Sequence, residues 1–522
     1  MKNIKFFLLI LIIGLLFVMP VLKYLQLNTS VMDLGIFISQ NFQPWWVDGN
    51  ILKIGFGHFQ PFFLIVSSFY TLFDSPIFLI VFQSCIVILS LVFLPVKKWY
   101  YGIVFLLCYA VWYNILFDFH YDHIAIPLMM AFYFALHHKK YTAACFIAAA
   151  VALVKEPFGL VTAFMGLYII VKHKKYFSGL FLILFGFGYF YAATHFVIPF
   201  FTPDYQTVGS SSAVFGAGGS IFDIALYPFI HFTEFITDIF TTQKWVYLAV
   251  LFGSFGLLVP LLSPLELIPA IPLIGIALLS NLPNYYGYAH HYTAGLIAPF
   301  TVAFIYAYEK FFADTGIFEN NIFSHISKSA IWIMIIAAHI LFSPSPVSRH
   351  FWTGTDTNYH YSEYLPVKRN EMIKVAIKKY IPADINVSVS SQNSLNLGYL
   401  AGRKYFSPFP GGVCERNIDT YKEKEISEIS FIKCTPEPMK KNYIDKDETS
   451  EILMHLVNNN KSIIKTKNIF ADYIVIDKKR PLYYYDLKIT KEAFESILNQ
   501  IKKWYEIVYE KDGFIILKRV NV

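Results

Sequence analysis

The sequence predicts an all-α polytopic membrane domain over residues 1–343, followed by a small external α/β domain over 344–522. Two observations predict it. First, 56% of the 522 residues are hydrophobic, only 15% are charged and the mean hydropathy is +0.48. That composition excludes an ordinary soluble enzyme, and an aromatic content of 18% excludes disorder. Second, residues 1–343 hold 15 Lys, no Arg and 14 Asp or Glu, about 8% of positions, whereas the remaining 179 residues are about 28% charged. The second value is the density of a water-facing domain. The net charge of +7 does not indicate a nucleic-acid partner, because nearly all Lys of the first part stand at the ends of apolar runs, where they report topology.

A hydrocarbon core about 30 Å thick takes roughly 20 apolar residues per helix. The first run, 6–22, follows Lys2 and Lys5, which places the N-terminus in the cytoplasm. Val18-Met19-Pro20-Val21-Leu22-Lys23 offers no small-x-small cleavage site, so the run reads as an anchor and not as a removable signal. Lys97-Lys98, Lys139-Lys140 and the group Lys172, Lys174 and Lys175 are expected on the cytoplasmic side. Between the first external loop, 23–58, and Lys97 lie two apolar runs, and parity lets one of them cross. The run 59–73 opens at His58-Phe59-Gln60-Pro61 and closes at Asp74-Ser75-Pro76, so it reads as a helix in the outer interface, and 77–94 is the second span.

Further spans are expected near 103–117, 124–136, 142–154, 158–171, 177–200, 245–262, 265–280, 293–310 and 329–343. That makes eleven spans in a cytoplasmic membrane, with 202–244 as a second external loop and the C-terminal domain extracytoplasmic. In this orientation 11 of the 15 Lys face the cytoplasm and four (Lys23, Lys53, Lys155, Lys244) lie outside.

On this map polar residues gather at the outer face: Asp33, Asp48, His58, the run Asp118-Phe119-His120-Tyr121-Asp122-His123, the turn Lys155-Glu156-Pro157, and Tyr285 to Tyr292 with His290 and His291. Ionisable groups beside hydrocarbon are costly, so a cluster drawn from five loops points to a site. Each member also has a structural reading. Asp33 either caps a short interfacial helix or is a carboxylate in apolar surroundings, with a raised pKa suited to taking a proton from a hydroxyl. His120 and His123, three apart with Asp122 between them, either form a divalent-metal corner or sit in a solvated loop between two spans. The sequence requires no cofactor, and a divalent metal stays open. Lys155-Glu156-Pro157 is either a plain turn whose charges snorkel or a cation placed to meet a lipid phosphate. The loop Gly209 to Gly219 has no phosphate-cradle motif and reads as a mobile cover over the site.

In the C-terminal part, 367–381 reads as an amphipathic helix, 385–389 and 471–477 as strands, and 490–503 as a second helix. Trp504 to Glu510 and Gly513 to Arg519 read as a hairpin across Lys511-Asp512-Gly513. Segment 402–448 reads as irregular and carries Cys414 and Cys434, either bridged in an oxidising compartment or two free thiols. None of the five Cys has CxxC spacing.

Four local motifs carry a resemblance. Asp33-Leu34-Gly35-Ile36-Phe37 looks like a first-loop acidic motif, and His58-Phe59-Gln60-Pro61 is similar to a His-Pro-Pro-like helix start. Val154-Lys155-Glu156-Pro157 resembles a Lys-Gly-Pro turn with Glu156 in place of Gly, and His291-Tyr292 with Pro299 resembles an aromatic or basic turn before a late span. Together they resemble the GT-C superfamily of membrane glycosyltransferases, most closely an uncharacterised prokaryotic membrane-protein family related to it. The sequence departs from the well-studied pattern at Asp33-Leu34, where Asp-Glu is common, and has no external Arg before Arg349. The resemblance implies a GT-C-like fold and transfer of a sugar from a polyprenyl-phosphate-linked donor, held in membrane lipid, to an acceptor on the outer face. It implies Asp33 as the catalytic base, and His58, Lys155, Glu156, His120, Asp122, His290, His291 and Tyr292 as substrate-binding residues. A lipid or glycolipid flippase and a non-catalytic envelope scaffold are the rival readings. The Pro-broken run Ile268-Pro269-Ala270-Ile271-Pro272 keeps the flippase open, while the charges at span ends and the absence of a convincing internal repeat count against it.

Overall fold

The computed structural model describes residues 2–41, 46, 54, 58–73, 75–95, 98–201, 221–313, 322–353, 359–383, 387–392, 394–395, 405–409, 415–416, 432–433, 471–480, 483–484, 487–488, 491–502 and 504–520. Over these residues the chain is mostly helical, with a small mixed sheet near the C-terminus. It divides into two units. One consists of Met1–Pro20, Leu52–Phe63 and Ile80–Tyr361, the other of Val21–Ile51, Leu64–Leu79 and Ser362–Val522.

The apolar runs become helices where proline and lysine punctuate them. Pro76 opens helix Pro76–Leu89, which a 3-10 turn extends through Phe93. This segment and Tyr176–Phe200 are, among the described residues, the two long and apolar enough to cross a membrane. Shorter apolar helices include Tyr141–Ala152, Phe158–His173 and Ser327–Phe342.

Several expected spans are broken. The run 103–117 splits into Trp99–Leu107 and Tyr109–Leu116 at Cys108, whose backbone is extended (φ −61°, ψ 121°). The Trp112 indole N–H donates to the Leu106 carbonyl at 2.7 Å, satisfying an oxygen left over at the break. The run 245–262 ends its α-helix at Gly253, passes through Gly256 at φ +72° and resumes as a 3-10 turn at Val259. The run 265–280 begins as the 3-10 segment Pro264–Ala270 before helix Ile271–Leu279, because Pro269 and Pro272 each lack an amide donor. The expected interfacial helix 59–73 is helical over Phe63–Phe73.

Helices Phe158–His173 and Tyr176–Ala192 pack antiparallel through glycines seven residues apart on each. A Cβ at Gly159 would lie 2.8 Å from the Gly186 carbonyl oxygen, and one at Gly166 would lie 2.5 Å from that of Gly179. The backbones therefore touch where only glycine fits.

In the second unit five strands form the sheet: β1 (Ser388–Gln392), β2 (Tyr405–Phe409), β3 (Tyr473–Asp477), β4 (Tyr505–Lys511) and β5 (Phe514–Arg519), in the order β2-β1-β3-β5-β4. β1 is parallel to β2 and β3, while β5 is antiparallel to both β3 and β4. Alternation along β3 sends Ile474 and Ile476 toward helix Lys491–Ile501, and Tyr473 and Val475 toward helix Lys368–Tyr380. The β4–β5 turn places Asp512 at φ 51° and Gly513 at φ 79°, the geometry a two-residue hairpin requires.

Segment 402–448, expected to be irregular, supplies edge strand β2. Pro408 obscures it in the sequence, and an edge position tolerates the missing amide. Cys414 and Cys434, Asp48 and the Gly209–Gly219 loop lie outside the described residues. The sheet also encloses the start of the first loop. Leu27 is buried in the same core as Ile377 and Val475, and Arg480 donates to the Leu27 carbonyl at 2.8 Å and to the Asn28 side chain at 2.9 Å.

Gly186→Ala is expected to destabilise the chain by about 1–3 kcal/mol through overpacking. Gly188→Ala, with nothing within 4 Å of its Cβ, is expected to be neutral or mildly stabilising. Thermal unfolding of the two variants in one detergent checks the contrast, and equal midpoints would contradict the glycine contact.

Candidate functional site

Three turns of the first unit, each leading into a helix, bring their polar residues together. Lys155-Glu156-Pro157 precedes helix Phe158–His173 and is closed by bonds from the Phe158 and Gly159 amides to the Lys155 and Glu156 carbonyls, both 3.0 Å. The 3-10 turn Tyr121–Ile124 precedes helix Ala125–His137, and His291–Thr293 precedes helix Ala294–Phe311. Asp122 and Glu156 thus stand beside helix N-termini, where the macrodipole favours a carboxylate.

Lys155 Nζ lies 3.8 Å from Asp122 Oδ2, both side chains being more than nine-tenths buried. Glu156 is tied to the loop before helix Phe63–Phe73: His58 Nδ1 meets Oε1 at 2.7 Å and the Phe59 amide donates to Oε2 at 3.1 Å. His58 is 30% exposed against 2% for Glu156, so the imidazole is the wetter end of the pair. These residues line a cavity together with Tyr285, Tyr292 and the apolar side chains of Phe158, Leu273, Ile276 and Ala277. The two tyrosine rings stack at 4.5 Å.

Burial pushes the Asp122 carboxyl up, but Lys155, with His120, His123 and His58, outweighs it and holds the group below its ordinary value. Glu156 is likewise raised by burial and brought below its ordinary value by the charge and hydrogen bond of His58 and the charge of Lys155. Both therefore stay ionised at neutral pH. Burial lowers the His123 imidazole to about 3, and His291 is held well below its ordinary value by burial and then by His120 and Lys155. Neither nitrogen of His123, nor Nδ1 of His291, nor Oδ2 of Asp122 makes a hydrogen bond among the described residues. Such buried polar atoms are expensive to hold in place and are concentrated where a ligand or water completes them.

Of the expected site residues, His58, Asp122, Lys155, Glu156 and Tyr292 line this cavity. His120 stacks on His291 at 3.6 Å beside them, and His290 packs edge-on against Phe117. Asp33 lies on the π-helical turn Val31–Gly35, half-buried, in the other unit. Two of the bland readings fail. Asp118, His120, Asp122 and His123 are buried and not a solvated loop, and Lys155 and Glu156 are buried and do not snorkel. The metal corner is not assembled either: among the described residues no three His, Cys, Asp or Glu side chains form a group that could hold an ion. His120 Nδ1 instead meets the Asp118 carbonyl at 3.0 Å.

The sequence reading overlooked Gln83 and Asn114. The Gln83 amide nitrogen donates to the carbonyls of Asn114, Ile115 and Phe117, and its oxygen accepts from the His120 amide at 3.3 Å. Asn114 donates to Thr293 Oγ1 at 2.9 Å. Together they fix the turns that carry Asp122 and His291. A lone amide inside an apolar run was the available signal.

The family described as "Predicted membrane protein (DUF2079)" matches the chain over residues 23–452. No curated protein and no solved structure matches it.

His123 ionises near 6.5 in an unfolded chain and near 3 when folded, so the unfolded state takes up the proton first and stability falls as pH drops from about 7 toward 3. Asp122 and Glu156 add their loss below about pH 4. The thermal midpoint in detergent is expected to fall between pH 7.5 and pH 5, and His123→Gln is expected to reduce that fall. An undiminished fall in the variant would assign the pH response elsewhere.

Proposed function

On the premise that the chain belongs to this family of predicted membrane proteins, we propose that it is a GT-C-like integral membrane glycosyltransferase that moves a sugar from a polyprenyl-phosphate carrier to an acceptor on the outer face. The observation that carries the reading is the cavity at Lys155, whose lining combines a buried ammonium, two carboxylates and two tyrosines with the aliphatic side chains of Leu273, Ile276 and Ala277. A ligand that fits it has a charged, hydroxylated head and an apolar tail. The reading includes the eleven spans, with cytoplasmic N-terminus and external C-terminal domain, that the lysine pattern supports.

In this account the acceptor oxygen bonds to the anomeric carbon as the bond from that carbon to the carrier phosphate oxygen breaks, and the electron pair leaves on the phosphate. Asp33 takes the hydroxyl proton, a role that rests on the first-loop motif. Lys155 offsets the charge gathering on the departing phosphate, the type of contribution that is commonly largest in such steps. Glu156 serves as a positioning residue, since it bonds His58 and Phe59 and belongs to the turn that carries Lys155. The break between Pro264–Ala270 and Ile271–Leu279 is the feature that favours a lipid transporter as the second reading.

The test is incubation of the purified full chain in nanodiscs with a panel of polyprenyl-phosphate sugars and mass spectrometry for released carrier phosphate. The native chain is expected to release it from at least one donor. Asp33→Asn is expected to lower the rate by about 10²- to 10⁴-fold, and Lys155→Gln by about 10²- to 10³-fold. Full activity of Asp33→Asn removes that residue from the role. Movement of labelled lipid across the bilayer without covalent transfer replaces this reading with the transporter.

A further inference from the structure

Two carboxylates line the cavity, and they differ in one respect. Both oxygens of Glu156 are taken, one by His58 Nδ1 at 2.7 Å and the other by the Phe59 amide at 3.1 Å. Asp122 Oδ2 makes no hydrogen bond among the described residues, although the residue is 6% exposed. Its charge partner, Lys155 Nζ, lies 3.8 Å away, close enough for an ion pair and too far for a hydrogen bond.

A buried carboxylate oxygen in this state is an acceptor awaiting a donor. The ammonium beside it favours an anionic group on the ligand, and the carboxylate repels one, so the two side chains discriminate between different parts of the same molecule. The donor that suits Asp122 is a hydroxyl adjoining a phosphate. The stacked tyrosines Tyr285 and Tyr292 border the same space, as do the aliphatic side chains of Leu273 and Ile276.

We infer that Asp122 determines specificity by accepting a hydrogen bond from a sugar hydroxyl of a glycosyl phosphate whose phosphate lies near Lys155. The inference rests on the glycosyltransferase reading and adds a ligand-reading residue to it. A site built to bond a hydroxyl rejects an analogue that lacks it, because the buried acceptor is then left unmet.

The experiment titrates the detergent-solubilised full chain with four probes: a short-chain prenyl phosphate, its hexosyl ester, a series of monodeoxyhexosyl esters and free hexose 1-phosphate. In the native chain, one deoxy position is expected to weaken binding about tenfold to hundredfold, the worth of a hydrogen bond to a charged group. In Asp122→Asn the same deoxy sugar and its parent are expected to bind within about twofold to threefold of one another. An unchanged gel-filtration profile and a cooperative thermal transition in the same detergent show that the variant is folded. Binding of hexose 1-phosphate that weakens in Asp122→Asn supports the inference and shows that the contact is to the sugar phosphate without its lipid.

A native chain that binds every deoxy sugar as well as the parent overturns the inference, with no variant needed. So does Asp122→Asn that keeps the native discrimination, or that loses turnover with binding untouched. A native chain that binds neither lipid and no hexose 1-phosphate overturns the transferase reading itself, and this inference with it.

Discussion

The site depends on burying the Lys155 ammonium beside two carboxylates. Leaving one member of a buried ion pair without its counterion costs about 3–5 kcal/mol, so such a group survives only where the chain brings its partners to it. Asp122 comes from 33 residues earlier in the chain, and Glu156 is fixed in turn by a histidine and an amide 98 and 97 residues away. Everything nearby serves that convergence. Glycines 159 and 186 let the helix that follows the Lys-Glu-Pro turn lie directly on its neighbour. Thr162 ties the same helix to the Ala148 carbonyl at 2.8 Å, and Gln83 holds the turn that carries Asp122.

The second unit solves a different problem with the same means. Its sheet closes over Leu27, and Arg480 grips the chain at Leu27, Asn28 and Ser394. Arg369 and Arg480 both bind the fully buried Asp477, so the guanidinium that holds the first loop is itself held by the end of β3. Leu27 accepts φ 64°, a conformation unfavourable for a leucine, and the surrounding bonds determine it. Leu27 therefore shares one packed core with strands more than 350 residues later in the chain.

Much of this was legible in the sequence. Paired lysines and prolines marked where helices start and stop, and the apolar run Tyr473 to Ile476 marked a strand, which the structure buries along its whole length. The polar motifs stood out because charges are rare in apolar surroundings, and the structure joins His58, Asp122, Lys155 and Tyr292 at one cavity, whereas Asp33 belongs to the other unit. The breaks were not legible. Hydropathy averages over Cys108 and over Gly253 to Val259 without registering a change of backbone. Nor was the burial of Asp118 to His123, because a polar run between two apolar ones reads as a water-filled loop until Gln83 and His291 are seen to enclose it. Pairing of His58 with Glu156 is a tertiary fact that no local pattern carries.

The central claim is that this charged cluster receives the phosphate of an amphipathic ligand. The most direct measurement is the structure of the full chain by cryo-electron microscopy with a prenyl phosphate at saturating concentration. The account predicts phosphate oxygens within about 3 Å of Lys155 Nζ, with the prenyl chain along Leu273 and Ile276. Phosphate density bound elsewhere, with the Lys155 cavity empty, would contradict it.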